Sequence, residues 1–267
     1  MVHKMTWIVG TALPFGYSVL VSDICVTYID NTGERRYIDC LQKIYPIGRF
    51  VIGGFSGSVE IGFRLLGVLS KELSNVPNDS AWDVDLISNT WWPRLAKRIF
   101  KNSDSSERTL GSEIILASVH PTKNRGDAPW PWSDVHAFSA PNFTPRKANT
   151  MEVLAIGSGS TVSVYMDNLR KLCEDFDFMK AAMLGKTGQA DVLTNFIDTL
   201  VKETPQKGIS SLFQIGIVMK GLCEIRDFEY TEYSRNGEKK IKFPSNIARR
   251  YPEFKNLLKR NFKSAIC

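Results

Sequence analysis

Met5-Thr6-Trp7-Ile8-Val9-Gly10 is an apolar, strand-like run that opens on a hydroxyl. Inside a chain, a threonine at such a place is an ordinary β-residue. As a first residue it carries a hydroxyl nucleophile together with a free α-amine, whose pKa of about 8 makes it a built-in general base. The pairing of hydroxyl and amine therefore hangs on the Met5–Thr6 bond. A start of translation at Met5, followed by removal of that methionine, is the expected route to a free Thr6 amine.

Outward from Thr6 the pattern stays β-like. Residues 6–13 and 17–23 read as two short apolar strands around the turn Pro14-Phe15-Gly16. Residues 24–38 continue in alternating style, broken by the hairpin turn Asp30-Asn31-Thr32-Gly33. Residues 41–46 and 49–55 make a further pair around Gly48. Together these strands predict an antiparallel sheet. The period then changes. From Ser58, a suitable N-cap, Val59, Ile61, Phe63, Leu65, Leu66, Leu69 and Leu73 predict an apolar helix to about Leu73. A second helix is expected over 82–101, with Trp91, Trp92, Leu95 and Ile99 on its packing face.

Strands are expected at 112–119 and 134–139, joined by a Pro- and Trp-rich surface loop over 121–132. Another is expected at 152–156, ending in Gly157-Ser158-Gly159-Ser160. Helices at 161–175 and 189–203 and strands at 211–219 and 223–232 complete the body. The order is β-rich, two helices, β-rich, two helices, β. It predicts an α+β fold in the form of a four-layer αββα sandwich, two antiparallel sheets between helix layers.

Composition removes several classes. The 267 residues hold no apolar run of the roughly 18 residues a membrane helix needs, and no signal-peptide core, so a cytoplasmic protein without a membrane partner is expected. Five scattered cysteines without a Cys-x-x-Cys motif predict neither a disulfide framework nor a zinc site. Three histidines leave little material for a His-based triad or metal centre, so no cofactor and no metal are expected. The net charge of +6 is uneven: residues 235–267 carry ten Lys and Arg against Glu238 and Glu253, leaving the body near neutral. The chain thus divides into a domain, 1–234, and a basic C-terminal extension, 235–267. A near-neutral body gives a nucleic-acid role no electrostatic support. In the extension Ile247, Tyr251, Phe254, Leu257, Leu258 and Phe262 recur at roughly helical spacing. An amphipathic helix docked on the body or a neighbour is the favoured reading, an anionic partner the alternative.

Four segments carry the chemistry: Thr6-Trp-Ile-Val-Gly, Val19-Leu20-Val21-Ser22-Asp23, Lys43-Ile44-Tyr45-Pro46-Ile47-Gly48-Arg49, and Phe55-Ser56-Gly57-Ser58 leading into a helix. With Gly157-Ser158-Gly159-Ser160 further on, the set resembles the proteasome β-subunit family of N-terminal nucleophile hydrolases, of the bacterial proteasome-related type. The resemblance covers about residues 5–75 well and 110–220 more loosely.

The resemblance implies roles. Thr6 is the nucleophile, its own amine the base. Lys43 sits beside it and lowers the pKa of hydroxyl or amine. Asp23 pairs with Lys43 and holds it. The Gly57 N–H donates to a tetrahedral oxyanion, and Ser158 hydrogen-bonds near the amine. Val26, Thr27 and Phe55 fall where a substrate pocket is expected, the bulky Phe55 ring making it small. Family members assemble into rings or stacked rings, which implies a homo-oligomer, a peptide or protein substrate, and room for a regulatory partner. The function implied is a threonine peptidase or amidohydrolase. The alternative is a non-catalytic subunit of the same fold in an oligomeric or partner complex.

Some positions depart from the family pattern. Cys25 stands where the family has arginine. Lys207-Gly208-Ile209-Ser210-Ser211-Leu212 lacks the family's Asp and Gly pair, with Ser210 or Ser211 available to replace its serine. Each residue also has an ordinary reading. Asp23 is a turn residue, Lys43 an edge-strand lysine facing water, and the glycines turn chemistry. Trp91, Trp92, Trp130 and Trp132 read as core or interface packing.

Overall fold

Trp7–Leu13 (β1) and Tyr17–Asp23 (β2) form an antiparallel hairpin that runs apolar on both faces. Strands buried on both sides read as continuous hydrophobic runs, and both strands here are buried along their whole length. The computed structural model describes residues 6–29, 32–39, 41–74, 83–124, 126–127, 129–181, 188–220, 222–226, 232–233 and 239–240. Val153–Gly157 (β10) flanks β1, and Phe213–Met219 (β11) followed by Leu222–Arg226 (β12) extends the sheet beyond β2. This first sheet has the order β10-β1-β2-β11-β12. Its register sets Trp7 opposite Gly157 and Asp23 opposite Phe213, so the starts of β1 and β11 and the ends of β2 and β10 share one edge.

The second sheet is made of Ile44–Gly48 (β5), Val51–Gly57 (β6), Ser112–Asn124 (β7), Pro131–Ser139 (β8) and Thr144–Ala148 (β9), in that order and antiparallel throughout. Cys25–Ile29 (β3) and Arg35–Asp39 (β4) form a separate two-stranded ribbon. Glu232–Tyr233 (β13) and Lys239–Lys240 (β14) pair as a shorter one.

Three apolar clusters order the layers. Ile8, Leu20, Ile52, Ile115, Val135 and Ile156 fill the space between the sheets. On the outer face of the second sheet Val51, Phe55, Ile114 and Leu116 pack against Val59–Ser74 (α1), Val84–Asn89 (α2) and Trp92–Lys101 (α3). On the outer face of the first, Trp7, Val9, Val21 and Ile215 pack against Ser163–Glu174 (α5), Phe176–Lys180 (α6) and Gly188–Glu203 (α7). The fold is α+β, with two five-stranded antiparallel sheets between helices. Among the described residues no helix is long and apolar enough to cross a membrane.

The α1 start follows the expectation: Ser58 Oγ accepts from the Ile61 N–H at 3.1 Å. Elsewhere the structure corrects the sequence. The early strands do not form one sheet; they are shared among both sheets and the β3–β4 ribbon. The single helix expected at 82–101 is broken at Thr90–Trp91. Pro93, in the first turn of α3, has no N–H to continue the α2 ladder, and its ring clashes with the preceding turn. The loop expected over 121–132 is shorter, because β7 runs to Asn124 and β8 starts at Pro131, with the register shifting between Val119 and Asn124. The short elements β9, α6 and Ser105–Thr109 (α4) carry too little apolar periodicity to be foreseen. Trp92 is core, while Trp130 and Trp132 are exposed. The helix expected at 245–263 lies outside the described residues, as does the basic extension apart from 239–240.

Candidate functional site

Asp23 closes β2 with its side chain fully buried, and a buried carboxylate needs donors. It has several. Oδ1 accepts the Trp7 N–H at 2.7 Å and Lys43 Nζ at 2.9 Å. Oδ2 accepts the Cys25 N–H at 3.0 Å and the Ser210 N–H at 3.5 Å. One carboxylate thus ties the start of β1, just after Thr6, to Lys43, to the start of β3 and to the loop before β11. Lys43 is an inward lysine, not an edge one: its side chain is 2% exposed, and Nζ also donates to the Cys25 carbonyl at 2.6 Å.

Lys43 itself is placed by Gln214 of β11. The Gln214 Oε1 accepts the N–H groups of Lys43 and Ile44 at 3.1 and 2.9 Å, and its amide donates to the Ile44 carbonyl. A polar side chain buried in the apolar run Phe213–Met219 was the signal for it, and nothing in the sequence named its partner across the sheets.

Thr6 is buried just ahead of β1. Its N–H donates to Ser158 Oγ at 3.3 Å, and Ser158 Oγ donates to the Thr6 carbonyl at 3.4 Å. Two further contacts hold the strand start. Gly157 has φ +85°, and a Cβ there would lie 1.8 Å from the Thr6 carbonyl oxygen, so only glycine permits this approach. The Trp7 ring stacks on Tyr165 with centroids 4.5 Å apart.

Gly57 ends β6 at φ +88°, against the Gly111 carbonyl. The Ser58 N–H donates to Gly111 O at 2.8 Å. Successive residues of an antiparallel strand turn to opposite neighbours, so the Gly57 N–H points away from β7. On that side β5 first pairs at Ile44–Gly54, short of Gly57. The helix α1 starts two residues later, adding the positive end of its dipole.

Two of the three residues expected around a substrate pocket fall under the helix layer. Val26 and Phe55 are buried in the cluster beneath α1, and Thr27 is half-buried. Phe55 lies 5.0 Å from Phe63 and stacks on Tyr45 at 6.5 Å between centroids. The void beside them, between Tyr45, Ile47, Phe63 and Leu66, is about 10 Å³, the size limit for a single water.

Two further groups surround the centre. Of the two serines open to this role, Ser210 is the buried one, its N–H on Asp23, while Ser211 is exposed. Asp39 lies opposite Cys25 in the ribbon, with the Ser210 side chain beside it. Burial pushes its carboxyl above the usual range; the Ser210 side chain opposes this, the Asp23 charge adds to it and the Lys43 charge opposes it. Asp39 was not foreseen, because a strand-ending Asp after a hairpin has no local mark of burial. Burial pushes the Cys173 and Cys223 thiols up to about 11, which leaves both un-ionised at neutral pH. Two histidines lie apart from this centre: His120 faces Asp83 at 3.0 Å and His136 faces Asp85 at 3.2 Å, both at the α2 start. No group of three or more His, Cys, Asp or Glu among the described residues is placed to hold a metal ion.

Thr6–Ser158 and Asp23–Lys43 are therefore two hydrogen-bonded pairs joined through the Trp7 N–H that Asp23 accepts, with the Gly57 N–H unclaimed by β7 on the facing sheet. Compared with the models of known protein families and with curated proteins, the chain matches none.

Proposed function

We propose that the chain is an N-terminal nucleophile hydrolase of proteasome β-subunit type, a threonine peptidase once Thr6 is its first residue. The observation that carries the reading is the buried Asp23–Lys43 pair: its carboxylate holds the Trp7 backbone while Ser158 holds the Thr6 nitrogen. A charged pair fully out of water is costly to build, and this one is built against a threonine at the head of a strand.

The steps follow from the atoms. The Thr6 amine, directly or through a water, takes the hydroxyl proton, and Oγ attacks the substrate carbonyl. The Lys43 charge favours the deprotonated hydroxyl and the neutral amine. The Gly57 N–H stabilises the oxyanion. The proton passes to the leaving amine, an ester forms on Thr6, and water, deprotonated by the same amine, releases the acid. Ser158 orients the amine throughout. Assembly into rings and a cytoplasmic location belong to the same proposal.

The packed rings of Tyr45, Phe55 and Phe63 favour a second reading, a non-catalytic subunit of this fold, since they leave no room for a large side chain. Hydrolysis of short peptide anilides ending in glycine or alanine separates the two. With the Thr6 amine exposed, the parent protein turns them over and Thr6→Ala falls to background. A Thr6→Ala protein as active as the parent rejects the peptidase.

A further inference from the structure

The candidate site is divided between the two sheets: Thr6 precedes β1, Asp23 ends β2 and Ser158 follows β10 of the first, while Lys43 precedes β5 and Gly57 ends β6 of the second. Its geometry therefore depends on how the sheets are held at this end. Gln214 fixes the Lys43 side. The Gly57 side has its own tie, Glu113 of β7.

Glu113 stands directly opposite Ser56 in the β6–β7 register, next to Gly57. Its Oε2 accepts Ser56 Oγ at 2.9 Å and, from the facing sheet, the Gly157 N–H at 2.8 Å. Its Oε1 accepts Ser139 Oγ of β8 at 3.1 Å. One carboxylate oxygen thus joins the residue before Gly57 to the residue before Ser158. Along β7, Glu113 shares the inward parity of Ile115 and Ala117, which face the other sheet in the apolar layer. A carboxylate at the end of such a layer is expensive, and its partners account for its presence.

We infer that Glu113 is a positioning residue: it registers the Gly57 N–H on one sheet against Thr6 and Ser158 on the other. The inference rests on the hydrolase reading. Misplacing a reacting group by about 1 Å costs on the order of 100-fold in rate, and the loss falls on kcat, because the tie touches no part of a substrate.

The test uses the protein with a free Thr6 amine as parent, Glu113→Gln and Glu113→Ala. Peptide-anilide kinetics and hydrogen exchange at the Gly157 amide are both read. Glu113→Ala is expected to lose roughly 10- to 100-fold in kcat, with KM within about three-fold and faster Gly157 exchange. Glu113→Gln, which keeps an acceptor oxygen, is expected to stay within about three-fold of the parent. An Ala variant that keeps the parent's kcat, or a Gln variant as damaged as Ala, overturns the inference. Where Glu113→Ala does not fold, Ser56→Ala takes its place, since it removes only the tie to β6; a loss in kcat is expected, and none overturns the inference. A parent without peptidase activity defeats the hydrolase reading by itself. Gly157 exchange then judges the tie alone: faster exchange in the Ala variant upholds it and unchanged exchange removes it.

Discussion

Lys43 puts its side-chain nitrogen where water cannot reach it, 2.9 Å from a carboxylate oxygen of the equally buried Asp23. Removing one member of a buried pair leaves the other uncompensated, at a cost of about 3–5 kcal/mol. Lys43→Met fills the space and leaves Asp23 with backbone donors alone. It is expected to lower unfolding free energy in urea by at least about 3 kcal/mol, whereas Lys202→Ala, at the surface pair Lys202–Asp198, changes it by less than about 0.5 kcal/mol. Equal effects of the two would mean that the interior pair is not the anchor described. Asp39 makes a pH prediction. Burial raises its pKa on folding, so between its unfolded and folded values the native state binds more protons than the unfolded one. Stability from this group is full at low pH and declines as pH rises through the carboxylate range. Asp39→Asn removes that decline, so denaturation curves from pH 3 to 7 should show the variant gaining on the parent as pH rises. A constant difference would contradict it. These residues were unequally legible. Asp23, Lys43 and Ser158 were singled out through the family resemblance, Lys43 also as a lysine inside an apolar run read as a strand over 41–46. Asp39, Gln214 and Glu113 were not, because what marks them is partners 26 to 57 residues away for Glu113, one 171 away for Gln214, and burial for Asp39.

At the scale of elements, the strand ends do the positioning. Trp7 and Val9 turn to the helices while Ile8 turns to the other sheet, an alternation readable from the β1 run itself. The register with β10 then brings Gly157 beside Thr6, which no local pattern reveals. Helix α1 was readable because a serine cap and an apolar stripe agree. The α2–α3 break was not foreseen because apolar residues continue through it; only Pro93 opposes a single helix, and its backbone chemistry overrides the stripe. Likewise β7 continues past Pro121 through a register shift, where a proline cluster alone suggested a loop.

For the whole molecule, the layer order was legible from the succession of strand and helix periods, while the sharing of the first strands between two sheets needed long-range pairing to appear. That sharing has the functional consequence. It puts Thr6, Asp23 and Ser158 at the strand ends of one sheet and Lys43 and Gly57 at the strand ends of the other, so the centre exists only where the two sheets are stitched by Gln214 and Glu113. All of it converges on the Thr6 nitrogen, which is an amide as long as Met5 precedes it and a base once it does not. The most direct measurement is the intact mass of the native protein after treatment with a peptidyl epoxyketone, whose adjacent ketone and epoxide carbons take up a hydroxyl and an amine from one residue. The account predicts a chain beginning at Thr6 that gains one reagent mass, and no gain in Thr6→Ala. A native protein that retains residues 1–5 and takes up no reagent would contradict it.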